Sequence, residues 1–262
     1  MMAGAALYIS NYQKTLKGIT WLQNFKHIAI RCGKLFICGT ALHCVYAGKL
    51  VVAMECTDTV IRYTIIAYLI IRKSVKYQII FSISLLLLTE ALYRFMFIPG
   101  YDQSFTEHHN FGAWMDTVLM GKINSDGWVA INFIPTAAHT IWGVLAGKSL
   151  ISNLSSRQKI TQLLIVAVIG LATGFGLDIT NITPIIKRFS TSSFVLASGG
   201  LVLVTMSFLY WFNDVKKQNK NAWIFTAVGI NSIFIYLFFE TVGMQWVNAA
   251  VGIFVCGFGR GT

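Results

Sequence analysis

Apolar runs close to the length of a bilayer crossing recur along this chain, and no other feature limits its fold as strongly. They cover Leu35 to Met54, Val60 to Ile71, Ile79 to Ile98, Val129 to Ala146, Ile160 to Leu177, Phe194 to Phe212 and Trp223 to Phe239. A hydrocarbon core about 30 Å thick takes roughly 20 apolar residues of helix. The run from Val60 to Ile71 needs its flanks to complete a span, and Trp246 to Phe258 falls short of one. Closed β-barrels also cross membranes, but their strands alternate apolar and polar residues. Leu163 to Ile169 shows no such alternation. The expected fold is therefore all-α, a polytopic transmembrane bundle of about seven to eight helices in one domain. Only 12% of the residues are charged and 55% are hydrophobic, whereas a soluble domain carries about 25% charged residues.

The charges sort by connection. A net charge of +11 raises the question of nucleic acid, but no basic patch interleaved with aromatics marks a soluble binding face. Lys14, Lys17, Lys26, Arg31 and Lys34 precede the Leu35 run. Arg72, Lys73 and Lys76 come two crossings later, followed by Lys148, Arg157 and Lys159, then Lys216, Lys217 and Lys220. The alternate connections hold Lys122, Lys187 and Arg188 but most of the acids, including Glu55, Asp58, Asp102, Glu107, Asp116, Asp126 and Asp178. The positive-inside rule assigns the first set to the cytoplasm. The protein is thus expected to be an integral, multi-pass protein of the cytoplasmic membrane, with the lipid bilayer as its first partner and no nucleic acid.

Cys32, Cys38, Cys44, Cys56 and Cys256 are odd in number and lack CxxC spacing, so they indicate neither zinc nor a disulfide framework. Gly143 and Gly147, and again Gly170 and Gly174, stand four apart as GxxxG pairs, whose plain reading is close helix packing.

Polar groups within the apolar runs are costly in lipid and face the bundle interior. Glu90 and Arg94, four apart, share one helix face and read as a structural ion pair or as part of a solute path. Arg62 lies near the start of its run, where it either binds a phosphate or carboxylate or snorkels to the interface. His139 sits among small residues, as a packing histidine or a catalytic one. Ser232, Tyr236 and Glu240 recur at i, i+4 and i+8 with Asn231 ahead of them. This polar stripe is expected to line a cavity or a helix seam. The long acidic connection from Pro99 to Gly127 carries His108 and His109, but their spacing matches no closed metal site, so no metal is expected.

Several blocks resemble a known family. They are Asn110-Phe-Gly-Ala-Trp-Met-Asp116 through Gly121, Gly127 through Lys148 with Pro135-Thr-Ala-Ala-His139, Pro184-Ile-Ile-Lys187 through Ser193, and Gly229-Ile-Asn231-Ser232 through Glu240. In that order, over nearly the whole chain, they are similar to the heparan-alpha-glucosaminide N-acetyltransferase family and its bacterial relatives. The resemblance implies a membrane acyltransferase that moves acetyl from cytoplasmic acetyl-CoA, as co-substrate, to an amino sugar or glycan acceptor across the membrane. It implies catalytic roles for Glu240 and Asp116. It implies substrate or donor binding by Asn110, Lys187, Asn231, Ser232, Tyr236, Arg62 and His139. Assembly as a homodimer stays open beside a monomer.

The chain also departs from the family pattern. Ile61 stands where the family tends to have a glutamine before Arg62. None of His27, His43, His108, His109 or His139 takes the place of the outward-loop histidine held to be catalytic. The resemblance accordingly predicts a chain lacking the family's first helix, its outward loop and its final helix, and inactive by itself. A polytopic transporter of a polar solute, and a non-functional product of a truncated gene, are the alternative readings.

Overall fold

In the computed structural model, residues 1–47, 56–124, 126–218, 222–239 and 243 are described. They form helices α1 (Met2–Leu16), α2 (Trp21–Ala47), α3 (Cys56–Ile70), α4 (Val75–Phe95), α5 (Phe111–Met120), α6 (Phe133–Ile151), α7 (Ser156–Ile179), α8 (Ser192–Tyr210), α9 (Ala222–Ile230) and α10 (Ser232–Phe238). A 3₁₀ turn at Ala130–Asn132 leads into α6, and α8 runs on as a π-helical turn over Trp211–Val215. Among the described residues there is no strand.

Side chains at the helix starts explain several boundaries. Ser74 Oγ accepts from Tyr77 N at 3.4 Å and opens α4. Ser155 and Gln158 form a reciprocal capping box that opens α7, and Asn110 Oδ1 accepts from Ala113 N at 3.0 Å to open α5. Each such cap satisfies amide groups that a helix start leaves without intrahelical partners. Gly121 ends α5 in the left-handed region, where a side chain would be strained.

Three helices among the described residues are long and apolar enough to cross a bilayer: Val75–Phe95, Ser156–Ile179 and Ser192–Val215. Their faces are arranged for a hydrocarbon solvent. In α4 the buried positions are Gln78, Ser82, Leu86, Thr89 and Tyr93. Ile79, Ile80, Ile83, Leu87, Leu88 and Phe95 are exposed on the same helix. In water that distribution would be inverted, because each large apolar side chain left exposed forgoes about 1.5–3 kcal/mol. In lipid it is the stable one, since buried polar groups there find partners within the bundle. Gln78 shows how: its Nε2 group donates to Ile70 O, Ile71 O and Lys73 O at 3.0–3.1 Å. That adds a side-chain donor to the carbonyls at the close of α3, where Ile70 O also accepts from Lys73 N at 2.9 Å.

Small residues make the tightest joints. A Cβ on Gly147 would lie 3.0 Å from Ala5 O, and one on Gly143 would strike Met1 O, so α1 lies directly on the glycine face of α6. Along α7, Ala167, Gly170 and Gly174 meet Ser193, Leu196, Ala197 and Gly200 of α8. Both GxxxG pairs therefore serve close packing, as expected from their spacing. Each joins its helix to a different neighbour.

Charges separate along the bundle. At one end Lys148 Nζ reaches Lys73 O at 3.4 Å, Lys159 Nζ donates to Leu150 O at 2.7 Å, and Ser156 Oγ meets Tyr210 Oη at 3.4 Å. These contacts gather the α3–α4 turn, the α6–α7 turn and the close of α8, with Arg72, Lys73, Lys76, Lys148, Arg157 and Lys159. The other end holds the 96–110, 121–132 and 180–191 connections and most of the described acids.

Candidate functional site

The acidic end carries a layered polar network. Its innermost layer is built on α4. Glu90 Oε1 accepts from Arg94 Nε at 2.7 Å and from Thr183 Oγ1 at 2.6 Å, while Oε2 accepts from Ser192 Oγ at 3.1 Å. Arg94 also donates to Ile182 O and, at 3.1 Å, to Thr183 Oγ1. Its guanidinium lies 5.2 Å from the Phe105 ring centroid. The carboxylate thus meets three side-chain donors, and the pair ties α4 to the α7–α8 connection and the start of α8. That is the structural reading of the i, i+4 spacing. Neither Thr183 nor Ser192 stood out in the sequence, because one lies in a connection and the other at the first position of α8, and only the fold brings both to Glu90.

A second layer forms where the 110–121 and 127–148 segments meet. Asn110 and Asp116 are both fully buried. Besides capping α5, Asn110 donates through Nδ2 to Thr106 O at 2.7 Å. Asp116 Oδ1 accepts from Ala130 N at 2.8 Å and so holds the 3₁₀ turn against α5. Tyr93 packs between Phe105 and Phe189 with Phe111 edge-on, and its buried Oη has no hydrogen-bond partner among the described residues. Gly112 admits this ring, since a Cβ there would collide with Tyr93 Oη and stand 2.9 Å from Val129 Cγ1.

The third layer is at the surface. Asn132 Nδ2 donates to Arg188 O, and Arg188 pairs with Glu107. Lys187 is exposed, and its carbonyl accepts from Ser190 N at 3.1 Å in a tight turn. Ser190 and His108 both take positive φ, at 50° and 65°, an uncommon conformation for residues with a side chain. His109 Nδ1 lies 3.4 Å from Gly100 O. Among the described residues no three His, Cys, Asp or Glu side chains gather as a metal site requires.

The remaining sequence-derived residues lie elsewhere. Arg62 rests its guanidinium 5.1 Å from the Phe133 ring centroid, at the start of α6. His139 faces the bundle seam: its ring is edge-on to Trp142, with centroids 6.5 Å apart, and packs beside Gly199 of α8. Trp142 Nε1 in turn donates to Ser82 Oγ at 2.8 Å. His139 thus sits in the seam between α6 and α8. Asn231 interrupts the last helices, and its Nδ2 donates to Ala227 O at 2.9 Å. Ser232 and Tyr236 are exposed. Glu240 lies outside the described residues.

The sequence carries one signal for the polar face of α4. Gln78, Ser82, Thr89 and Tyr93 recur on one face of an otherwise apolar helix, the pattern of a membrane helix turned toward a polar interior. No such signal exists for Glu107 and Arg188, which only the folded connections bring together. No protein-family model, no curated protein and no solved structure matches this chain.

Proposed function

We propose that the chain is a multi-pass protein of the cytoplasmic membrane with about seven to eight crossings, and that it is an acyltransferase related to the heparan-alpha-glucosaminide N-acetyltransferase family. One observation carries this reading. Segments 110–121, 127–148 and 184–193, which bear the resemblance, meet at the acidic end through Asp116 with Ala130 N and Asn132 with Arg188 O. On the positive-inside rule the basic end faces the cytoplasm and the acidic end faces outward. Acetyl-CoA then arrives from the basic side, and an amino sugar or glycan acceptor from the other. The acceptor nitrogen attacks the thioester carbonyl, the amine proton passes to a base, the C–S bond breaks, and the departing thiolate takes up that proton to leave as coenzyme A thiol. The resemblance puts Glu240 forward as that base. Asn110 and Asp116 shape the turns around the acceptor side, and Lys187 stands exposed at its rim.

Donor binding is the criterion for a test, because no histidine of this chain takes the place that the resemblance gives to the family's catalytic one. Purified chain in lipid nanodiscs should bind radiolabelled acetyl-CoA saturably, with displacement by coenzyme A and none by ATP. Incubation with glucosamine and mass spectrometry of the products then reads transfer. Absence of saturable donor binding, together with absence of transfer, would remove the acyltransferase reading.

A further inference from the structure

At the basic end, α1, the α3–α4 turn and the close of α6 line an open cavity of about 270 Å³. Its polar lining is Tyr8, Asn11, Tyr12, Thr15, Arg72 and Lys148, and no carboxylate is among its lining residues. Neither Arg72 nor Lys148 has an ion-pair partner among the described residues. Lys148 Nζ stands 5.7 Å from the Tyr8 ring centroid, and its one hydrogen bond, to Lys73 O, is long at 3.4 Å.

The orientation of Asn11 is fixed from outside the cavity. Lys14 Nζ donates to Asn24 Oδ1 at 2.9 Å, and Asn24 Nδ2 donates to Asn11 Oδ1 at 2.7 Å. A lysine only donates, so the relay runs in one direction and turns the Asn11 oxygen toward Asn24. The Asn11 amide donors are left over. Thr15 spends its hydroxyl proton on Asn11 O at 2.9 Å. The cavity therefore offers a guanidinium, an ammonium and a carboxamide NH₂, beside the hydroxyls of Tyr8, Tyr12 and Thr15, with no anionic acceptor to match the two cations.

Donors in that surplus suit an oxyanion with several acceptor oxygens, and Arg with Lys is the usual pairing for phosphate. Basic pockets between helices at the basic face of a membrane protein hold anionic headgroups in the same way. We propose that this cavity binds a phosphate group, carried by an anionic lipid headgroup or by a soluble phosphate ester. The inference does not rest on the acyltransferase reading, since phosphate binding here needs no acetyl transfer, though coenzyme A is itself a soluble phosphate ester.

The test titrates purified full chain in neutral detergent with two probes. Phosphatidylglycerol in mixed micelles is followed by native mass spectrometry, and inorganic pyrophosphate by calorimetry. Asn11→Asp keeps the oxygen that accepts from Asn24 but replaces the donors with an anionic oxygen, so it should fold and weaken binding. Arg72→Gln should weaken binding by about tenfold, the worth of one charge-assisted hydrogen bond. Lys76→Gln removes the same charge at the same end but outside the cavity, and should leave affinity within about twofold. Sensitivity to Asn11→Asp in the lipid titration alone assigns a headgroup, and sensitivity in the pyrophosphate titration alone assigns a soluble ester. Sensitivity in both assigns a site for either. If Arg72→Gln does not yield folded protein, Asn11→Asp decides alone. Absence of binding in both titrations, affinities unchanged by Asn11→Asp, or a loss in Lys76→Gln equal to that in Arg72→Gln overturns the proposal.

Discussion

Replacing Gly174 by alanine tests the α7–α8 seam that sets the spacing of the acidic end. A Cβ at Gly174 falls 2.5 Å from Ala197 N, 2.8 Å from Ser193 O and 2.9 Å from Ala197 Cα. All three are backbone atoms of α8, so no side chain can rotate aside. The helices must part by about 1 Å at this point to regain ordinary contact. Overpacking a tight interior costs about 1–3 kcal/mol. Alanine in place of a helical glycine returns up to about 1 kcal/mol of backbone entropy. The balance is a loss of about 1–2 kcal/mol, which corresponds to a fall in Tm of about 2–8 °C for a chain of this size. Gly176, on the same helix, has nothing within 4 Å of a Cβ. Gly176→Ala keeps the entropic gain without the clash, so its Tm should equal or exceed that of the parent. Thermal unfolding of the three proteins in one detergent, read by the loss of the monodisperse chromatographic peak, measures both effects. A Gly174→Ala protein as stable as the parent, or a Gly176→Ala protein that loses as much, would refute the seam.

The remaining predictions concern orientation and the innermost polar layer. With the five native cysteines replaced, single cysteines at Lys73 and Lys217 should resist an impermeant thiol reagent in intact cells, while one at Asp102 should react. Labelling at Lys73 would remove the proposed orientation. Glu90→Gln keeps the shape of the side chain but leaves Arg94 without its counter-charge. With the pair at 20% and 34% exposure, the loss should fall between that of surface and buried pairs, at about 1–3 kcal/mol. Unfolding at an unchanged temperature would show that Glu90 does not tie α4 to the 180–192 segment.

What was legible from the residues alone was whatever depends on local run length and on spacing along one helix. A stretch such as Ile160 to Leu177 has no stable place in water and satisfies its own backbone only as a helix. Hence the helical class was readable before any contact was known. GxxxG spacing likewise announces close approach, because bare backbone on one helical face admits another helix whichever helix that is. The partner was not legible: Gly143 and Gly147 meet α1, while Gly170 and Gly174 meet α8. Boundaries near the polar segments also shifted. The run beginning at Val129 becomes a 3₁₀ turn and then α6 only from Phe133, because Asp116 takes the Ala130 amide and holds that turn to α5.

The candidate sites divide on the same line. Glu90 and Arg94 could be paired from sequence because four residues of helix fix their separation. Thr183 and Ser192 could not, since the connection that carries Thr183 and leads to Ser192 has no periodicity that says where it returns. Asn11, Arg72 and Lys148 share a cavity only because the helices that bear them end at one face of the bundle. Charge and hydropathy along the chain decide what solvent each residue needs. Which residues then share that solvent is decided by how the helices close on one another.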